Sequence, residues 1–227
     1  MTNPEKLKYI ADYVHKELLK PLGFKRRLNT FNRKTEEGII QVVNFQSSMY
    51  NLESPETTKI KESILGPMPV YGTFPLNFGA WVKELAEAIS GLYGNPSAGF
   101  IPEYTCAIRA RIGDFLGKNT WFSLDNDLDQ TSTHVLQLVK DHGLPFLQEH
   151  ETRERILYNL ETQSTINFLS PTPLLNASIM YLHQGNKEKA QELFQKHYDQ
   201  TDPKHSHRKY LEELAEKLGL EIANPKG

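Results

Sequence analysis

Between Gly38 and Ser47 the chain carries apolar residues on both parities, with Ile39, Gln41, Val43 and Phe45 on one side and Ile40, Val42, Asn44 and Gln46 on the other. β-Branched and aromatic residues in so short a run predict a strand. Because both sides begin apolar, the strand should be interior to a sheet and covered on both faces. Before it, Leu7, Ile10, Val14 and Leu18 recur at helical spacing across residues 4–20, and Pro21 and Gly23 stop that helix. Phe24 to Arg33 reads as a strand anchored by Leu28 and Phe31, joined through Thr35-Glu36-Glu37-Gly38 to the central strand as an antiparallel hairpin. Residues 48–70 hold Pro55, Gly66, Pro67 and Pro69 and read as a long loop.

Alternation resumes at Tyr71–Trp81, with Phe74, Leu76, Phe78 and Ala80 opposed to Pro75, Asn77, Gly79 and Trp81. Val82, Leu85, Ile89 and Leu92 continue it as a helix, and Gly91, Gly94, Asn95, Pro96 and Gly99 form a loop. Thr105–Ile112 alternates again, with Cys106, Ile108, Ala110 and Ile112 opposed to Ala107, Arg109 and Arg111, and Trp121–Leu124 is a short strand. The sum is an α+β fold with a mostly antiparallel sheet of four to five strands and flanking helices. From Asp129 the pattern is helical to the end. His142-Gly143 reads as a helix stop, Arg153–Leu160 as a helix, and Ser170-Pro171 as the cap of the next. Gly185, Pro203 and Gly219 punctuate the last helices. A soft boundary near residue 165 divides an α+β domain, 1–165, from a C-terminal helical hairpin and last helix, 166–227, which could pack on the same domain.

Composition narrows the function classes. The chain has 227 residues, 38% hydrophobic and 24% charged, with formal net charge −2. That balance gives no support to sequence-independent binding of nucleic acid or a membrane surface. A single cysteine, Cys106, excludes an intramolecular disulfide and fits a reducing compartment. There is no signal-peptide pattern and no apolar run long enough to span a bilayer, so a cytoplasmic location is expected.

The chemistry-bearing candidates lie on the polar side of the sheet. Asn77, Arg109 and Arg111 share a face by alternation, and Asn44 and Gln46 can join them. Two arginine forks on one strand face suit a carboxylate or phosphate. The competing reading is a half-solvated face whose arginines pair with Glu103 and Asp114. Asp125-Asn126-Asp127-Leu128-Asp129 has the alternating oxygens of a calcium loop, but Gln130 and Leu136 replace its glycine and its bidentate glutamate, so an acidic helix start is the better reading. His205 and His207, with His197, do not share a helix face and lack a completing acid or cysteine. His142 and His150 lie near Glu149 and Glu151 with no activated nucleophile beside them. Cys106 reads as inert core. No metal, cofactor or catalytic residue is assigned. Tyr181, Gly185, Ala190 and Phe194 fall at the spacings of a tetratricopeptide unit, but there is one unit only. Its groove offers a place for a partner segment.

Leu19-Lys20-Pro21-Leu22-Gly23-Phe24, Asn29-Thr30-Phe31-Asn32-Arg33 and Val42-Val43-Asn44-Phe45-Gln46-Ser47-Ser48 resemble a bacterial domain-of-unknown-function family, the one numbered 4304. Phe74-Pro75-Leu76-Asn77-Phe78-Gly79, Cys106–Gly113 and Trp121-Phe122-Ser123-Leu124 extend the likeness over roughly residues 7–125. The resemblance implies a small α+β domain, often cytoplasmic, with no established activity and no catalytic residues to carry over. Together these observations lead to a non-catalytic protein engaging a macromolecular partner, as an immunity-like neutraliser of a toxin or an adaptor. The alternative is a small-molecule-binding protein or enzyme with an anionic ligand on the polar sheet face. Partner identity and oligomeric state are open.

Overall fold

The computed structural model describes residues 1–48, 57, 71–89, 99–162 and 172–223. Helix α1 (Asn3–Val14) starts at a capping box in which the Thr2 hydroxyl accepts from the Glu5 amide and the Glu5 carboxylate from the Thr2 amide. A π-helical turn, His15–Leu19, extends it. Strands β1 (Lys25–Arg27), β2 (Thr30–Lys34), β3 (Ile40–Phe45), β5 (Leu76–Trp81) and β6 (Ile108–Arg111) form an antiparallel sheet in the order β1-β2-β3-β5-β6. The central place belongs to β3. A second, two-stranded sheet pairs β4 (Thr73–Phe74) with β7 (Phe122–Ser123).

Helix α2 (Lys83–Ala88) follows β5, and the short α3 (Ile112–Leu116) follows β6. Then come α4 (Leu128–Leu138), a π-helical turn Val139–Gly143, α5 (Leu144–Glu149) and α6 (Arg153–Thr162). The last helices are α7 (Pro173–His183), α8 (Lys187–Gln200) and α9 (His207–Leu218). One apolar cluster runs through all of them, from Leu7 and Ile10 through Phe31, Val43, Phe45 and Phe78 to Leu174, Phe194, Leu211 and Leu214. Its spine is aromatic: Phe31, Phe45, Phe74 and Phe122 meet in succession at ring-centroid distances of 5.5, 6.0 and 5.3 Å. Each fully buried ring contributes roughly 1.5–3 kcal/mol by leaving water. Helix α1 lies on α4, tied by Lys6 to Asp125 at 2.8 Å and by the Tyr9 hydroxyl to Asp129 at 2.6 Å.

The central position of β3, the hairpin at 35–38 and the α+β class agree with the sequence. Several local readings are corrected. Phe24–Arg33 is two strands joined at Leu28, which is 82% exposed with φ 53°, so it anchors nothing. Tyr71–Trp81 breaks at Pro75, and its two halves belong to different sheets. His142-Gly143 does not stop a helix. The chain stays helical there, and Gly143 is required because a Cβ would lie 2.2 Å from Cε1 of Phe78. Cys106 does not share a face with Ile108: β6 begins only at Ile108, and a bend at Ala107 separates the two. It is buried as expected, but in a separate small cluster with Val42 and Ile101. The acidic helix start is borne out: the Asp127 carboxylate caps α4 by accepting from the Gln130 amide at 2.8 Å. The long loop at 48–70 apart from residues 48 and 57, the turn at 91–98, the boundary near 165 and the Ser170-Pro171 cap lie outside the described residues.

Candidate functional site

Antiparallel register assembles the polar face in rows. Thr30 on β2 pairs with Asn44 on β3, Asn44 with Asn77 on β5, and Asn77 with Arg111 on β6. Each is polar and directly opposite the next, so four strands contribute one row of side chains to the same side. The row is joined by hydrogen bonds. Asn44 donates to the Thr30 hydroxyl at 2.8 Å, Asn77 donates to the Gln46 carbonyl at 2.8 Å, and Arg111 Nε donates to the Asn77 carbonyl at 3.1 Å. All five predicted residues therefore share this side of the sheet.

The next row is Asn32, Val42, Gly79 and Arg109. It is covered by the segment from Ile101 to Cys106. The Asn32 amide clasps Ile101, accepting its N–H at 2.6 Å and donating to its carbonyl at 3.0 Å. Cys106 fits because position 79 is glycine: a Cβ there would lie 2.8 Å from the cysteine Sγ. Burial pushes the Cys106 thiol well above the usual thiol range, with the Glu103 charge adding to it, so the group is inert. Arg109 is held by Glu103 two-on-two, Nε to Oε1 at 2.6 Å and Nη2 to Oε2 at 3.2 Å. Glu103 is buried, so this fork serves to neutralise a carboxylate of its own chain.

Arg111 is placed differently. Its guanidinium lies over the Trp121 ring, 5.6 Å from the centroid, while Nε is on Asn77. Among the described residues none accepts from its two terminal nitrogens. The backbone N–H of Arg111 donates to Asp114 at 2.6 Å. Arg111, Gly113, Asp114, Gly117, Lys118 and Asn119 line an open cleft of about 470 Å³. Trp121 is steadied by its indole N–H donating to Asn119 at 3.1 Å, and it lines a second open groove of about 430 Å³ with Asp127 and His134.

The structure thus separates the two arginines that alternation groups together: Arg109 is spent on Glu103, and Arg111 faces a cleft. Trp121 is the residue that sequence reasoning missed. It reaches Arg111 through the turn after α3, and no periodicity in the chain reports that approach. Among the described residues no group of three or more His, Cys, Asp or Glu side chains is arranged to hold a metal ion. No helix among them is long and apolar enough to cross a membrane.

The family model described as "Domain of unknown function (DUF4304)" matches residues 15–60 and 69–149, which include the whole polar face and Trp121. No curated protein and no solved structure matches.

Proposed function

This chain belongs to the family described as "Domain of unknown function (DUF4304)", and on that premise we propose that it is a cytoplasmic binding protein that docks a macromolecular partner, as an adaptor or an immunity-like neutraliser, through the Arg111–Trp121 end of its polar sheet face. The observation that carries the reading is the Arg111 fork, held on Asn77 and Trp121 with its terminal nitrogens unclaimed among the described residues. Arginine and tryptophan are the residue types that dominate binding energy at protein interfaces. Both neighbouring depressions are open grooves on the surface, whereas small-ligand sites enclose most of their ligand.

A second reading rests on Lys118, which lines the same cleft as Arg111: two cations there suit a small carboxylate or phosphate. One set of variants separates the readings. Tagged wild type, Arg111→Glu and Trp121→Ala, each verified as folded, are used to enrich binders from lysate of the native host, and any binder is purified and titrated directly. A reconstituted partner that binds wild type and is lost at least tenfold in both variants supports docking. A partner indifferent to both changes sinks it. Stabilisation of wild type by citrate or phosphate, abolished in Arg111→Glu, with no macromolecular partner, favours the small-anion reading.

A further inference from the structure

The last described residues do not simply trail away from the helices. Gly219, with φ 66°, ends α9, and Leu220 closes the cap by donating its N–H to the Ala215 carbonyl at 2.9 Å. Leu220 is buried, and Ile222 packs against the same apolar cluster, so alternate side chains point inward. The backbone of Glu221 and Ala223 is gripped by two glutamines of α8. Gln191 Oε1 accepts the Glu221 N–H at 2.8 Å, and its Nε2 donates to the Glu221 carbonyl. Gln195 does the same to Ala223, accepting its N–H at 3.0 Å and donating to its carbonyl at 3.2 Å. Gln195 Nε2 also donates to Asp199 at 2.9 Å, which fixes the amide in this sense.

The spacing explains why the fit works. Residues four apart on a helix are separated by about 6 Å along its axis. Residues two apart in an extended chain are separated by about 6.6 Å. Two glutamines at i and i+4 therefore present paired donors and acceptors in step with every second residue of a strand. Asn32 uses the same two-bond clasp on Ile101 within the fold. At α8 all four bonds go to main-chain groups, so the glutamines read extended backbone and not side-chain identity. Selection is left to the two apolar positions at Leu220 and Ile222.

We propose that this cleft is a receptor for an extended segment of a partner polypeptide with apolar residues two positions apart, and that residues 220–223 are its displaceable resident. The segment meets the requirements of strand-type peptide recognition: backbone hydrogen bonds for affinity and alternate side chains for choice. The clamps themselves are neutral amides. The resident is tethered by Gly219 and has a high effective concentration, so an incoming segment binds the intact chain more weakly than a chain with the cleft empty.

The test uses two labelled octapeptides. One is Leu-Glu-Ile-Ala-Asn-Pro-Lys-Gly, the chain's own residues 220–227, and the other keeps apolar residues only at positions one and three among Ser and Thr. Each is titrated into the full chain, into a chain ending at Gly219, and into that shortened chain with Gln191→Ala and Gln195→Ala. The shortened chain should bind both peptides, the full chain about tenfold more weakly, and the glutamine variant at least tenfold more weakly, the loss of about 1.4 kcal/mol or more expected from removing these hydrogen bonds. If the shortened chain fails to fold by circular dichroism, full-length Leu220→Asp/Ile222→Asp expels the resident and takes its place. Absence of binding to an emptied cleft at millimolar peptide overturns the proposal. So does binding of the chain's own peptide alone, or binding that ignores the two glutamines.

Discussion

Arg153 meets Glu84 two-on-two, with Nε to Oε1 at 2.6 Å and Nη2 to Oε2 at 3.0 Å, and it also reaches Glu37 on the turn between β2 and β3. One side chain at the start of α6 thereby ties α2 to a sheet turn more than a hundred residues earlier in the chain. Burial pushes the Glu84 carboxyl up, but the Arg153 hydrogen bonds outweigh it and hold the group below its ordinary range. Removing the arginine leaves a buried carboxylate with no counter-charge, which costs about 3–5 kcal/mol. Arg153→Met should lose about that much in urea unfolding, and Glu84→Gln added to it should restore part of the loss. Equal stability of Arg153→Met and wild type would show that the pair holds nothing together.

Gly143→Ala is expected to destabilise although alanine is the better helix former by about 1 kcal/mol. The added Cβ would sit 2.2 Å from the Phe78 ring, which is fully buried and cannot move aside without disturbing β5. A cost of about 1–3 kcal/mol by denaturant melt is anticipated. Phe78→Leu in the same background should relieve some of it.

Leu28→Gly should do the reverse. The residue holds a left-handed backbone that favours glycine, and its side chain is almost wholly in water. A gain of about 0.5–1 kcal/mol is expected. A loss of stability on thermal unfolding would mean that the side chain makes a contact that its exposure conceals.

Acid should weaken the C-terminal helices. Burial lowers His197 to about 4, with the neighbouring His207 ring adding to the shift, and burial also lowers His207. The rings stand 5.8 Å apart between α8 and the start of α9. In the unfolded chain a histidine takes its proton near 6.5, so below that pH the unfolded form binds more protons than the folded one. The contribution of His197 is complete above pH 6.5 and is lost as pH falls from there toward 4. His150 acts in the same direction, since its burial outweighs the Phe146 carbonyl 2.8 Å from Nδ1. The midpoint of thermal unfolding should drop between pH 6.5 and 4, and His197→Gln should flatten that drop. An unchanged slope in the variant would remove His197 from the account.

Cys106 should resist iodoacetamide in the native protein and react once the chain is unfolded in urea. Gly79→Ala should open the segment above it, because the new methyl occupies the space of the Sγ. Native-state alkylation would then become measurable. Full reactivity in the wild type would contradict the packing described.

What could be read from the chain was whatever obeys a period. Ile40–Phe45 and Leu76–Trp81 alternate, so their faces, their centrality and the polar row of Asn44, Asn77 and Arg111 follow from parity. Phase changes were not readable. A bend at Ala107 separates Cys106 from the alternation of β6, Pro75 moves Phe74 to another sheet, and a π-helical turn carries the chain through Gly143. The split between Arg109 and Arg111 was only half legible: Glu103 is six residues from Arg109 and could be suspected, whereas Trp121 gains its role through three-dimensional approach alone.

The sheet order β1-β2-β3-β5-β6 follows the order of synthesis, so every strand finds its neighbour already made. Its cover does not. The ring of Phe78 meets Phe115, which in turn meets Phe146 on α5, and α1 waits for α4 to give it a seat. At about 5–20 residues per second, the stretch from Arg111 to Glu149 takes roughly 2–8 s to make. For that interval a nascent chain has the strands of the five-stranded sheet but lacks Phe115 and Phe146, the rings that close over Phe78.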